Sequence, residues 1–139
     1  MPKPEPRHPH PRAPFRVEIP GRPVPAARMT RRGKWVRPQA QRYLAWRKYA
    51  SWRIVQAWRG APLSGPVAIR VWVRVAKGRR GDLDNYLKAA LDAANGLLWC
   101  DDRQVVRCTV AFVDAAQVAG SEESLTLEVC SLAQEAAAE

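Results

Sequence analysis

Between Phe15 and Ile19, apolar positions (Phe15, Val17, Ile19) alternate with charged ones, which predicts a short strand stopping at Pro20-Gly21. The period then lengthens. Tyr43, Trp46, Ala50, Ile54 and Ala57 recur at three- and four-residue spacing, Pro38 precedes them and Gly60 follows, so residues 39–59 read as a helix. A turn over Pro62–Pro66 leads to a strict alternation, with Val67, Ile69, Val71, Val73 and Val75 on one face of a strand and Ala68, Arg70, Trp72, Arg74 and Ala76 on the other. A second helix is expected at about 84–95, with Leu87, Ala90, Leu91 and Ala94 as its apolar stripe and Asn95-Gly96 closing it. Val105–Val113 and Ser124–Cys130 read as two further strands. The order β-α-β-α-β-β predicts a single α+β domain, a mixed sheet with two main helices packed on it, over residues 15–130. Six prolines within residues 1–14 mark a disordered leader, and the alanine- and glutamate-rich residues 131–139 mark a frayed tail.

Composition narrows the chemistry. At 139 residues the chain supports one core, and no apolar run approaches the roughly 20 residues of a membrane helix. The N-terminus has charge and proline but no apolar signal region, so a cytoplasmic protein is expected. Cys100, Cys108 and Cys130 are odd in number and lack C-x-x-C spacing, so buried or half-buried free thiols are expected rather than disulfides or a zinc site. His8 and His10 both lie in the leader, which leaves carboxylates, lysine and hydroxyls for any catalysis in the folded body. The net charge of +10 is unevenly placed: residues 1–80 hold 20 Lys/Arg against 2 Asp/Glu, and residues 81–139 hold 3 against 11. A basic half that binds a polyanion and an acidic half that could hold cations fit a metal-dependent nuclease.

Candidate chemistry centres on Gly81-Asp82-Leu83-Asp84-Asn85-Tyr86-Leu87-Lys88 and Trp99-Cys100-Asp101-Asp102. In an extended segment leading into a helix, Asp82 and Asp84 point the same way and could reach one hard cation. Lys88, one turn beyond Asp84, could stabilise charge on a phosphate or a leaving oxygen. The Asp101-Asp102 pair follows the helix, where the chain can fold back toward its start and supply a third carboxylate. The same residues also have structural readings: D-x-D as helix capping, Asp-Asp as a turn, and Lys88 as a surface ion pair with Asp84 or Asp92. Arg28, Arg31, Arg32, Lys34 and Arg37 surround Trp35 and suit phosphate contacts, with Lys77, Arg79 and Arg80 as a second clamp just ahead of the acidic segment. Trp35 either packs against the fold or stacks on an unpaired base. Trp46, Trp52, Trp58, Trp72 and Trp99 are expected in the core or a dimer interface.

The string Asp82-Leu-Asp84-Asn85-x-x-Lys88-Ala-Ala-x-Asp92-Ala, then Trp99-x-Asp101-Asp102, resembles the signature of the RusA family of Holliday junction resolvases. It matches closely over about 21 residues, and the order of elements over roughly residues 14–130 is compatible with that fold. The resemblance implies a magnesium-dependent homodimer, with manganese a possible substitute, that nicks opposing strands of a four-way DNA junction. It implies Asp82, Asp84 and Asp102 as metal-binding aspartates and Lys88 as the catalytic lysine, with Asp101 as a neighbouring contributor. Family members often occur in phages and prophages, so the resemblance also carries that expectation of origin. Two alternatives stay open: a non-catalytic branched-DNA-binding protein of the same fold, and a nuclease acting on other branched DNA. An RNA-binding module lacks any aromatic RNP-type strand here.

Overall fold

The computed structural model describes residues 14–28, 30, 37–76, 78, 80–113 and 122–132. The leader and the tail expected at the two ends fall almost wholly outside the described residues, as do Arg31, Arg32, Lys34, Trp35, Lys77 and Arg79.

The elements follow the predicted order: β1 (Phe15–Pro20), α1 (Pro38–Ala57), β2 (Val67–Arg74), α2 (Leu83–Ala94), a 3-10 turn (Asp102–Gln104), β3 (Val105–Phe112) and β4 (Ser124–Ser131). They build a mixed α+β domain whose four-stranded sheet has the spatial order β1-β4-β2-β3. β4 runs antiparallel to both β1 and β2, and β3 runs parallel to β2. A parallel neighbour needs a crossover, and α2 is that crossover.

Strand alternation sorts the sheet into two faces. Val17, Ile19, Val67, Ile69, Val71, Val73, Leu125, Leu127 and Val129 are buried and pack in one cluster with the inner sides of both helices. Burying each such side chain contributes roughly 1.5–3 kcal/mol before the entropy of ordering is counted. The opposite face is polar. There Arg16 donates from Nε and Nη2 to Glu128 Oε2 at 3.1 and 2.8 Å, and its guanidinium lies 4.9 Å from the Trp72 ring centroid.

Both helices differ from their expected stripes. α1 buries Ala40, Tyr43, Trp46, Ala50 and Ile54, but Ala57 is exposed at its end. α2 buries Tyr86, Ala89, Ala90, Ala93 and Ala94, while Leu87 and Leu91 are only half-buried. Alanines let α2 approach α1 and the sheet closely. Ser51 Oγ uses that approach to donate to the Ala93 carbonyl at 2.8 Å. Trp46, Trp58 and Trp99 are core residues and Trp72 is half-buried, but Trp52 is 55% exposed and stacks with Tyr49 on the outer side of α1. The cysteines are free, as expected, but Cys100 and Cys108 are exposed rather than buried and only Cys130 is half-buried. Among the described residues no helix is long and apolar enough to cross a membrane.

Candidate active site

α2 begins one residue earlier than the sequence suggests. Asp82 is its N-cap, with extended backbone angles (φ −73°, ψ 141°), and Asp84 already lies in its first turn. An aspartate at the N-cap ordinarily accepts from a backbone N–H of that turn, but the Asp82 side chain makes no such bond. Among the described residues, neither Asp82 nor Asp84 accepts a hydrogen bond or forms an ion pair through its side chain, and both are exposed. Lys88, also exposed, is equally unpaired among them. The capping and ion-pair readings are therefore not what these side chains do. Asp92 is engaged elsewhere, accepting from the Tyr43 hydroxyl at Oδ2 over 2.5 Å. Burial first, and then the Asp92 carboxylate, push the Tyr43 phenol well above its ordinary pKa, so it stays a proton donor.

The strap entering α2 is held from inside. The Gly81 N–H donates to the Tyr86 hydroxyl at 3.1 Å, and Tyr86 is buried edge-on against Phe112 at 5.7 Å between ring centroids. Arg80, exposed, stacks its guanidinium over the same Phe112 ring at 4.6 Å. The basic loop is fastened here too. Ala26 N–H donates to the Asn85 carbonyl at 3.0 Å, and Pro25 sits so close to Gly81 that a Cβ there would lie 2.9 Å from the Pro25 ring. Arg28 follows two residues after Ala26 and is exposed. Arg37 is exposed at the N-cap of α1. Gly81→Ala should lift this loop off the strap. We expect a stability loss of about 1–3 kcal/mol by thermal denaturation, together with weaker DNA binding; unchanged melting and binding would show that the loop does not depend on Gly81.

The acidic pair after α2 divides its work. Asp101 caps the 3-10 turn: Oδ1 accepts from the Arg103 N–H at 2.8 Å, Oδ2 from Arg103 Nη2 at 3.1 Å, and Gln104 completes a capping box. The Arg103 side chain, and then its backbone N–H, hold the Asp101 carboxyl below its usual pKa. Asp102 is exposed and is oriented by a different donor, the indole N–H of fully buried Trp99, 2.9 Å from Oδ1. Tyr86, Tyr43 and Trp99 are the positioning residues that sequence reasoning missed as such. For Tyr86 and Trp99 the only signal was an aromatic O–H or N–H lying within or beside the acidic string; Tyr43, on α1 and 49 positions from Asp92, carried none.

One expectation fails within a single chain. The Asp101-Asp102 pair does not fold back to the start of α2. Because β3 runs parallel to β2, the crossover helix has to carry the chain from the Arg74 end of β2 back to its Val67 end. Asp102 sits at that foot, where the Gln104 amide donates to the Leu63 and Gly65 carbonyls at 2.8 and 2.9 Å. Asp82 and Asp84 sit at the head, beside Phe112. The 12 residues of α2 separate the two by about 18 Å along the helix. Consistent with this, no three His, Cys, Asp or Glu side chains among the described residues are grouped to hold a metal ion.

A two-layer α+β domain with carboxylates at a helix start and a lysine one turn on, none of them partnered among the described residues, has the makings of a phosphodiester-processing site. The chain belongs to the RusA endodeoxyribonuclease family, whose model matches residues 20–127. It is thus an endodeoxyribonuclease of the Holliday junction resolvase class, a family of DNA-recombination nucleases that act on branched DNA and generally use a divalent metal. No curated protein matches the chain.

Proposed function

We propose that the protein is a cytoplasmic homodimer that resolves Holliday junctions by magnesium-dependent hydrolysis, placing paired symmetric nicks in opposing strands. The observation that carries this reading is the exposed set Asp82, Asp84 and Lys88 in the first half of α2, unpartnered among the described residues, with Arg80 stacked on Phe112 just ahead of it in the chain. An acidic surface left unneutralised would repel DNA; a cation and a basic rim offset that repulsion.

Asp82 and Asp84 suit a hard cation by donor chemistry, being oxygen ligands committed to no other described group; Asp102, at the far end of α2 in the same chain, would add a third carboxylate only from the second protomer of the homodimer. Magnesium bound there, or manganese in its place, supplies Lewis acidity at the scissile phosphate and a lowered pKa for the attacking water. The chain's own groups do the rest. Lys88 lies one turn from Asp84, where its ammonium can donate to a phosphate oxygen or to the departing 3′ or 5′ oxygen as the P–O bond breaks. Arg28, Arg37 and Arg80, with Arg31, Arg32, Lys34, Lys77 and Arg79, would grip flanking phosphates and set the position of the junction. Trp99 holds Asp102 through a neutral donor, which leaves the second carboxylate oxygen available.

A labelled four-way junction, a flap and a linear duplex, each incubated with the protein in magnesium, test the substrate. The junction should be cut at least tenfold faster than the others. Comparable cutting of the flap would favour a broader branched-DNA nuclease. Junction binding without any cutting would favour a non-catalytic protein of this fold.

A further inference from the structure

The outer face of α1 carries side chains that neither the core nor the acidic site uses. An exposed helix face is ordinarily polar. Here three of the four exposed large apolar side chains among the described residues lie along it: Tyr49, Trp52 and Val55, at 38%, 55% and 48% exposure. Tyr49 and Trp52 are neighbours one turn apart, and their rings stack with centroids 6.4 Å apart and planes 25° from parallel. Aromatic and β-branched residues lose side-chain freedom in a helix, so these three do not favour α1 itself. They do not serve the core either, which takes Tyr43, Ala50 and Ile54 from the opposite side. Cations frame the rings. Residues 38–59 hold Arg42, Arg47, Lys48, Arg53 and Arg59 and not one Asp or Glu. Arg47 sits over the Tyr43 ring, 5.7 Å from its centroid. By helical register Arg42 and Arg53 fall on one side of the ring pair and Lys48 on the other, with Arg59 just past the C-terminal end. Arg42, Lys48 and Arg59 are exposed and hold no hydrogen bond or ion pair among the described residues.

We propose that this face is a platform for single-stranded DNA, with unpaired bases stacked on Tyr49 and Trp52 and the adjoining phosphates held by Arg42, Lys48 and Arg59. The inference rests on the nuclease reading above for the choice of DNA over other polyanions, and adds to it a second contact surface. Charge complementarity sets the class of partner: an apolar strip framed by cations, with no acid on the helix, suits an anion that also has apolar surface. An unpaired DNA strand offers both at every nucleotide, a flat base and a phosphate. A duplex offers its phosphates but keeps its base faces stacked inside. An acidic amphipathic helix lays its apolar anchors into a groove, and the outer side of a single helix is convex. Stacking tolerates any base, so the platform holds a strand without reading its sequence. It is also separate from the acidic site. Tyr43 and Ser51 join α1 to Asp92 and Ala93 near the end of α2, Trp52 lies on the opposite side of α1 from Tyr43 by register, and Asp82 and Asp84 lie at the start of α2. A strand on α1 therefore leaves Asp82, Asp84 and Lys88 open to a phosphate elsewhere on the same branched molecule. A junction with an unpaired arm is held more tightly than a fully paired one.

Binding of the full chain to a labelled oligothymidylate of about 15 nucleotides, followed by fluorescence anisotropy in EDTA, tests this. The wild-type protein should bind. Trp52→Ala should weaken binding by about tenfold or more, and Arg42→Ala should weaken it severalfold with a shallower dependence on salt. Trp52→Phe keeps a ring and should recover most of the affinity. All three variants should melt like the wild type, because the side chains changed are exposed. A four-way junction with one unpaired arm should be bound more tightly than a fully paired junction by the wild type, and no more tightly by Trp52→Ala. Wild-type protein that ignores oligothymidylate, or Trp52→Ala that binds it as tightly as wild type, would overturn the platform. Oligoglutamate that displaces the label as well as unlabelled oligothymidylate of equal charge would also overturn it, assigning the face to an acidic protein. A Trp52→Ala protein that changes oligomeric state but not its affinity for oligothymidylate would assign the face to a second copy of the chain instead. None of these results touches the nuclease reading, which stands on cutting of branched DNA in magnesium. Protein that binds oligothymidylate through Trp52 but cuts no branched DNA would overturn that reading and support the platform.

Discussion

Asp82→Asn should abolish junction cleavage, by about a thousandfold or more, while junction binding stays intact or tightens. The substitution keeps the size of the side chain and removes one negative charge from an exposed group that holds no described partner, so the fold has little to lose. What it would remove, on the proposed reading, is a ligand to the cation that neutralises the phosphate, an effect worth several kcal/mol in the transition state. Binding to a polyanion improves, if anything, when a carboxylate becomes an amide. Single-turnover cleavage beside a gel-shift titration separates the two effects. Wild-type cutting by this variant would show that Asp82 plays no part in the chemistry.

Trp99→Ala should be the most damaging of the core changes. Trp99 is fully buried, its backbone forms bridges with both Leu63 and Asn95, and its indole N–H orients Asp102. Truncation leaves a large cavity under the foot of α2 and costs roughly 3–5 kcal/mol, which for a domain of this size lowers the melting temperature on the order of 10–20 °C. Trp99→Phe keeps most of the volume but leaves Asp102 without its donor, so it should impair cleavage more than stability. Thermal denaturation of both variants, with cleavage assayed on the phenylalanine form, distinguishes packing from orientation. A loss below about 1 kcal/mol for the alanine form would mean the core closes over the site without Trp99.

The order and limits of the elements were legible because each segment has its own period and its own stop, such as Pro20-Gly21 after β1 and Pro38 at the first turn of α1. The buried stripe of α2 was not. Hydropathy favours Leu87 and Leu91, but close helix packing favours the smaller Ala89 and Ala93 and places Tyr86 inside, where its hydroxyl meets Gly81. The acidic string itself stands out in sequence, because Asp82, Asp84, Lys88 and Asp102 occur at fixed offsets. The placement of Asp102 did not, because it depends on β3 lying parallel to β2. β3 also has little alternation to reveal its edge position, since both its faces are largely exposed. Local spacing can show that two residues share a helix face. It does not show which end of a crossover a later residue reaches, and the donors that fix Asp92 and Asp102 come from Tyr43, 49 positions away, and from Trp99 in the closing loop.

Cleavage of a supercoiled plasmid that extrudes a cruciform tests the central claim most directly, since paired nicks in opposing strands yield linear DNA and unpaired nicks yield open circles. With the wild-type protein, linear product should accumulate in magnesium and none should form in EDTA. Equal cutting in EDTA, or open circles without linear product in magnesium, would contradict a metal-dependent resolvase that cuts both strands.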